Sequence, residues 1–165
     1  MIYLPARRWY RVAALLAPVA LLGFWWPGAA GLLIVLDLLW LLAALVDGFR
    51  AAGIAPAAIT IVREPPPAFS VGRRLSIVYR WSHPYRRRLV LWVKETFPAI
   101  LQPELAGDRV LALPPEATFR EEIAALPLAR GKGTGGRLSL RLLGPWGLVW
   151  RQVRRDLPWQ ATVYP

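Results

Sequence analysis

The chain has 165 residues, 56% of them apolar, with 21 Lys+Arg against 10 Asp+Glu, a net charge of +11 and no Cys. That length holds one domain and little more, which excludes a multidomain enzyme, while the missing Cys excludes a disulfide framework and a cysteine-ligated metal site. The charge suits either a polyanion or an anionic membrane surface, so the placement of the basic residues has to separate the two.

Between Arg11 and Asp37 no side chain is charged, and Leu38 to Val46 is again uncharged. The stretch from Trp9 to Val46 is too long for one ordinary span, and Pro27-Gly28 is a breaker dipeptide in its middle. The pattern predicts a two-helix transmembrane hairpin in residues 1–50, with helices over about 9–26 and 29–47, each about 27 Å long against roughly 30 Å of hydrocarbon. Trp9 and Tyr10 at one end, and Trp25 and Trp26 at the other, would set amphipathic rings at the headgroups. Arg7, Arg8 and Arg11 precede the apolar residues, Arg50 follows them and the turn is uncharged, so the positive-inside rule places both termini in the cytoplasm. A cleaved signal peptide, with a mature terminus near Gly31, is disfavoured because a second apolar segment follows at once. A buried soluble hairpin is disfavoured because the first segment is apolar all round. Pro18 reads as a kink. Asp37 falls near the middle of the second expected span, where a charged Asp costs about 2.5 to 3.5 kcal/mol. With no second ionisable residue in that core, it reads as a protonated or paired carboxyl facing the first helix or a neighbouring subunit, in preference to a proton relay.

Residues 51–165 change character, with Pro punctuation and period-2 alternation. Leu75, Ile77, Tyr79 and Trp81 share one face against Ser76 and Arg80, and Leu138, Leu140 and Leu142 alternate with Arg137, Ser139 and Arg141. Further candidate strands are Ala57 to Arg63, Arg88 to Thr96, Arg109 to Leu113, Thr118 to Leu126, Leu148 to Val153 and Trp159 to Val163. This predicts a cytoplasmic antiparallel β-sandwich, Ig-like, of about seven strands. Val90 and Trp92 lie between Arg88 and Lys94 on the face that should be solvated, which marks a contact surface or a register displaced by one residue.

Chemistry is sparse in this half: one His, four Ser, two Asp and six Glu. His83 stands before Pro84 with no local motif to bring it a nucleophile, and carboxylates would have to dominate any metal site. The chain therefore reads as no enzyme, with no cofactor and no evident small-molecule substrate. The run from Arg130 to Gly136 is rich in Gly but lacks phosphate-loop spacing, since Leu126 and Gly133 stand where Gly and Ser or Thr are required. It reads as a flexible hairpin loop. Residues 51–165 hold 17 Lys+Arg and eight Asp+Glu, a net +9, and Arg86, Arg87 and Arg88 are flanked by Trp81, Tyr85 and Trp92, a pattern compatible with phosphate contact and base stacking. The charge is nevertheless dispersed over nearly every strand, which favours membrane adjacency over a nucleic-acid partner.

The carboxyl end carries Arg130-Gly131, an alternating strand, Pro145 with Gly147-Leu148, and a closing Val163-Tyr164-Pro165. In this order, behind a basic cluster and paired apolar segments, these residues resemble the amino-terminal region of bacterial proteins of the domain-of-unknown-function 58 family. The resemblance implies the anchor and sandwich of such a protein, without the von Willebrand factor A-like part and its metal motif. It also implies a bacterial inner membrane, a scaffold role and a MoxR-type AAA+ ATPase as a partner.

Overall fold

The computed structural model describes residues 2–22, 25–104 and 108–165. Its strands are β1 (Ile2–Pro5), β2 (Thr60–Glu64), β3 (Phe69–Ser70), β4 (Leu75–Ser82), β5 (Leu89–Thr96), β6 (Leu101–Pro103), β7 (Arg109–Leu113), β8 (Phe119–Pro127), β9 (Gly131–Leu143) and β10 (Val149–Tyr164). Its helices are α1 (Arg7–Leu22) and α2 (Pro27–Ala52), with a 3-10 turn at Pro56–Ala58. One sheet runs β1-β10-β9-β5-β7, with β3 parallel to the end of β10, and the other runs β2-β4-β8-β6. The chain forms two compact units, Met1–Ile54 with Leu142–Gln152 and Ala55–Arg141 with Val153–Pro165.

In the first unit the expected pair of matched transmembrane helices is corrected. Only one helix, Gly28–Ala52, is long and apolar enough to cross a membrane among the described residues. The reason is where each helix starts and stops. Pro27 opens α2 instead of breaking it, because Pro tolerates the first helical position and Trp26 ahead of it is extended (φ −135°, ψ 108°). The helix then continues past Val46 to Ala52. By contrast, α1 has 16 residues and takes Arg7, Arg8 and Arg11 into its first turns, leaving Val12 to Leu22 as an apolar stretch of only about 16 Å at 1.5 Å per residue. Gly23 and Phe24, within the expected first span, lie outside the described residues. β1, unforeseen in the sequence, pairs antiparallel with β10 from Ile2↔Gln152 to Pro5↔Val149.

The second unit is a β-sandwich built as the alternation demanded. Ile77, Tyr79 and Trp81 of β4 are fully buried, and Leu91 and Val93 of β5, Leu111 and Leu113 of β7, Ile123 of β8, and Leu138 and Leu140 of β9 are buried core residues of the same unit. Strand number is a correction: among the described residues the expected seven or so become nine, β2 to β10, because β3 and β6 are short and carry little alternation. The two expected strands at 148–153 and 159–163 are one continuous β10, through Pro158. The expected loop at 130–136 is also corrected, since β9 begins at Gly131. Its glycines serve close packing: a Cβ at Gly135 would come within 2.7 Å of Pro98, and one at Gly136 (φ +114°) would strike the backbone of Leu157.

Candidate functional site

Asp47 is the buried acid of the first unit. An Asp in the last turns of a helix sits at the negative end of the macrodipole, so it needs donors from elsewhere. Asp47 is 0% exposed and finds three. Its Oδ1 accepts the backbone N–H of Trp146 at 2.7 Å, and its Oδ2 accepts those of Leu148 at 2.9 Å and Val149 at 3.1 Å. Gly144 closes on the same carboxylate, where any Cβ would overlap it. Gly147 adopts φ +75°, and a Cβ there would come within 3.1 Å of the Arg8 Cδ. The Gly144-Pro145-Trp146-Gly147-Leu148 turn is thus shaped to the end of α2.

Cations complete this arrangement. Buried Arg151 donates through Nη1 to the carbonyls of Ala51 and Ala52 at the end of α2 and of Ile54 just beyond it. Arg8 donates to the Trp146 carbonyl at 3.2 Å, and the Arg50 guanidinium lies 5.3 Å from the centroid of the Trp146 ring. The Ala6 N–H donates to the Leu148 carbonyl, and β1 holds the adjacent residues. The start of α1 and the end of α2 therefore meet at one end of this unit.

The sandwich has its own buried polar cluster. Glu95 receives Arg63 at 2.5 Å and Arg109 at 3.5 Å, and Arg109 reaches Glu121 at 2.7 Å. Trp81 Nε1 donates to Glu121, while Arg63 donates to the Tyr79 hydroxyl and the Leu157 carbonyl. The Arg63 guanidinium also lies against the Tyr79 and Trp159 rings. Burial, with Glu95 adding to it, pushes the Tyr79 phenol up. Burial likewise raises Glu121, against the opposing pull of Arg109.

The residues singled out in the sequence are spread over both units. Arg7, Arg8, Tyr10, Arg11, Trp25 and Trp26 are exposed and Trp9 is half-buried, its ring 6.5 Å from that of Trp40. Asp37 is exposed on α2. Of the carboxyl-end motif, Pro145, Gly147 and Leu148 belong to the turn at Asp47, whereas Arg130, Gly131, Val163, Tyr164 and Pro165 belong to the second unit. Arg86 is exposed and pairs with Glu116, Arg87 is half-buried and Arg88 is exposed. Val90 and Trp92 are half-buried opposite the core register of Leu89, Leu91 and Val93, and Arg141 stacks on Trp92 at 4.1 Å. The register of β5 is therefore the one the alternation gives.

Sequence reasoning missed Asp47, Arg151 and the four charges of the sandwich cluster. A signal for the latter existed: Arg63 follows Ile61, Glu95 follows Val93, Arg109 precedes Leu111 and Glu121 precedes Ile123, each two residues along on the core-facing register. Among the described residues no group of three or more His, Asp or Glu is arranged to hold a metal.

No family model and no curated protein matches the chain. Among solved structures, it is similar to the native conformation of E. coli alpha-2-macroglobulin, at 17% identity and a TM-score of 0.49 over 66% of this chain. The chain spans only 7% of the length of that protein. It is also similar to PapD-like domain 7 of human CEP192, at 11% identity and a TM-score of 0.45, covering 68% of this chain and 94% of that domain.

Proposed function

We propose that the chain is a non-enzymatic, membrane-anchored β-sandwich that presents an interaction surface at the cytoplasmic face of a bacterial inner membrane. The observation that carries this reading is α2. Its apolar window has a mean hydropathy of 2.5 and is only 11% buried. Leu38, Leu42, Leu45 and Phe49 are each more than half exposed. Water is a poor solvent for so much contiguous apolar surface, and a core helix of a soluble protein would be covered. A bilayer supplies the cover along its exposed apolar residues. Arg7, Arg8, Arg11 and Arg50 gather at the end of the unit where α1 begins and α2 finishes, which supports a cytoplasmic location for that end and for both termini. The resemblance to the amino-terminal region of domain-of-unknown-function 58 proteins supports a scaffold role beside a MoxR-type AAA+ ATPase.

Alkaline carbonate extraction of membranes from cells making the full chain tests the anchor. The protein is expected in the pellet, and replacing Leu38, Leu42 and Leu45 by Lys together should release it. Wild-type protein in the supernatant would overturn the anchor. A reporter that works only in the cytoplasm, fused after Pro165, is expected to be active, and an inactive fusion would overturn the orientation.

A further inference from the structure

We infer that Arg8, Arg50 and Trp146 form a binding site for the anionic headgroup of a membrane phospholipid. This rests on the membrane reading and adds to it a ligand class. The three residues are far apart in sequence and converge on one exposed spot: Arg8 from the first turn of α1, Arg50 from the last turns of α2, and Trp146 from the turn before β10. Arg8 is fixed by its bond to the Trp146 carbonyl, and Arg50 by its place on the Trp146 ring. Two guanidiniums are thus held against one residue, and phosphate accepts from the planar fork of Arg.

Three features of the surroundings favour a lipid phosphate. The first is charge. Asp37 and Asp47 are the only acidic residues of this unit. Asp47 is fully buried on three backbone amides, and Arg7, Arg8, Arg11, Arg50 and Arg151 outnumber these two acids. Arg7 and Arg11, both exposed and one turn apart on α1, extend the positive surface. The second is depth. The site stands at the end of a helix long and apolar enough to span a bilayer, at the level where headgroups begin, and an exposed indole belongs in that zone. The third is preorganisation. The turn carrying Trp146 is pinned by Asp47, and Gly147 leaves room for the Arg8 side chain to lie across it, so the cations are in place before a ligand arrives.

Native mass spectrometry of the detergent-solubilised full chain, titrated separately with phosphatidylglycerol and phosphatidylcholine, tests the inference. Phosphatidylglycerol is expected to bind more tightly. Arg8→Gln with Arg50→Gln should weaken it about fivefold for each Arg removed and leave phosphatidylcholine unchanged, since each basic residue near an anionic surface contributes on that scale. Arg50→Lys, which keeps the charge, should retain the preference even if Arg8→Gln disturbs folding. Equal affinity for the two lipids, or an equal loss from Arg86→Gln with Arg88→Gln in the sandwich, would overturn the site. Carbonate extraction separates the two readings: a chain that stays in the membrane yet shows no lipid preference refutes this site alone.

Discussion

The two units bury carboxylates in opposite ways. Asp47 is held by backbone N–H groups, those of Trp146, Leu148 and Val149. Glu95 and Glu121 are held by side chains, Arg63, Arg109 and Trp81. The difference decides what each can be exchanged for. A cluster made mostly of side chains can be removed nearly as a set and refilled with apolar groups, leaving only the Trp81 N–H, the Tyr79 hydroxyl and the Leu157 carbonyl to find new partners. A carboxylate that serves the main chain cannot, because the amides stay when it goes. The sandwich cluster is therefore a replaceable solution to packing two sheets, whereas Asp47 is tied to the path of the backbone through the 144–149 turn.

The largest effect is expected from splitting the sandwich cluster. Glu95→Ala leaves Arg63 and Arg109 with side chains at most 9% exposed and one fewer counter-charge, a loss of about 3 to 5 kcal/mol. Denaturant unfolding of the full chain, followed by the fluorescence of its Trp residues, measures it. A loss under about 1 kcal/mol would mean that Glu95 does not hold the two arginines. Asp47→Ala comes next, at about 2 to 4 kcal/mol for donors left buried without acceptors. Asp47→Leu should fare no better, although it restores apolar volume. Limited proteolysis across residues 144–149 reads this locally, and protection equal to wild type would show that the turn is held by something other than Asp47.

Much of the sandwich was legible in the sequence because its determinants are local. The alternation of Leu75 to Trp81 and of Leu138 to Leu142 places the same residues inward in the structure, and Arg109–Leu113 has the expected bounds. The first unit was read less well, and for a physical reason. Apolar composition identifies a helix that can enter a bilayer but does not mark where it begins or ends: Pro27 opens α2 instead of interrupting it, and Asp47 lies within the helix. The partners of Asp47 are 99 to 102 residues away, and no local pattern encodes a pairing of that span. The glycines at 144 and 147 have their reason in the carboxylate and the Arg8 side chain that they accommodate, which no local pattern displays.

A smaller effect sharpens the contrast. Replacing Arg63, Glu95, Arg109 and Glu121 together by Met, Leu, Met and Leu should cost less than Glu95→Ala alone, even though the Trp81 N–H, the Tyr79 hydroxyl and the Leu157 carbonyl lose their partners. Additive loss across the four would place the sandwich cluster in the same class as Asp47 and remove the distinction.

The smallest expected effect is one of pH. Burial raises the folded-state pKa of Glu121 above its ordinary value of 4.5, against Arg109, so the folded chain holds that proton more tightly than the unfolded one. The contribution of Glu121 to stability is then fully present below pH 4.5 and declines as pH rises through the raised folded value. Glu121→Gln has no proton to lose and can still accept from Trp81 Nε1. The stability difference between variant and wild type, measured by denaturant unfolding from pH 4 to pH 7, should move in favour of Gln as pH rises. Movement the other way would mean that Arg109 outweighs burial at this position, and that the sandwich carboxylates are stabilised as ions in the manner of a well-paired bridge.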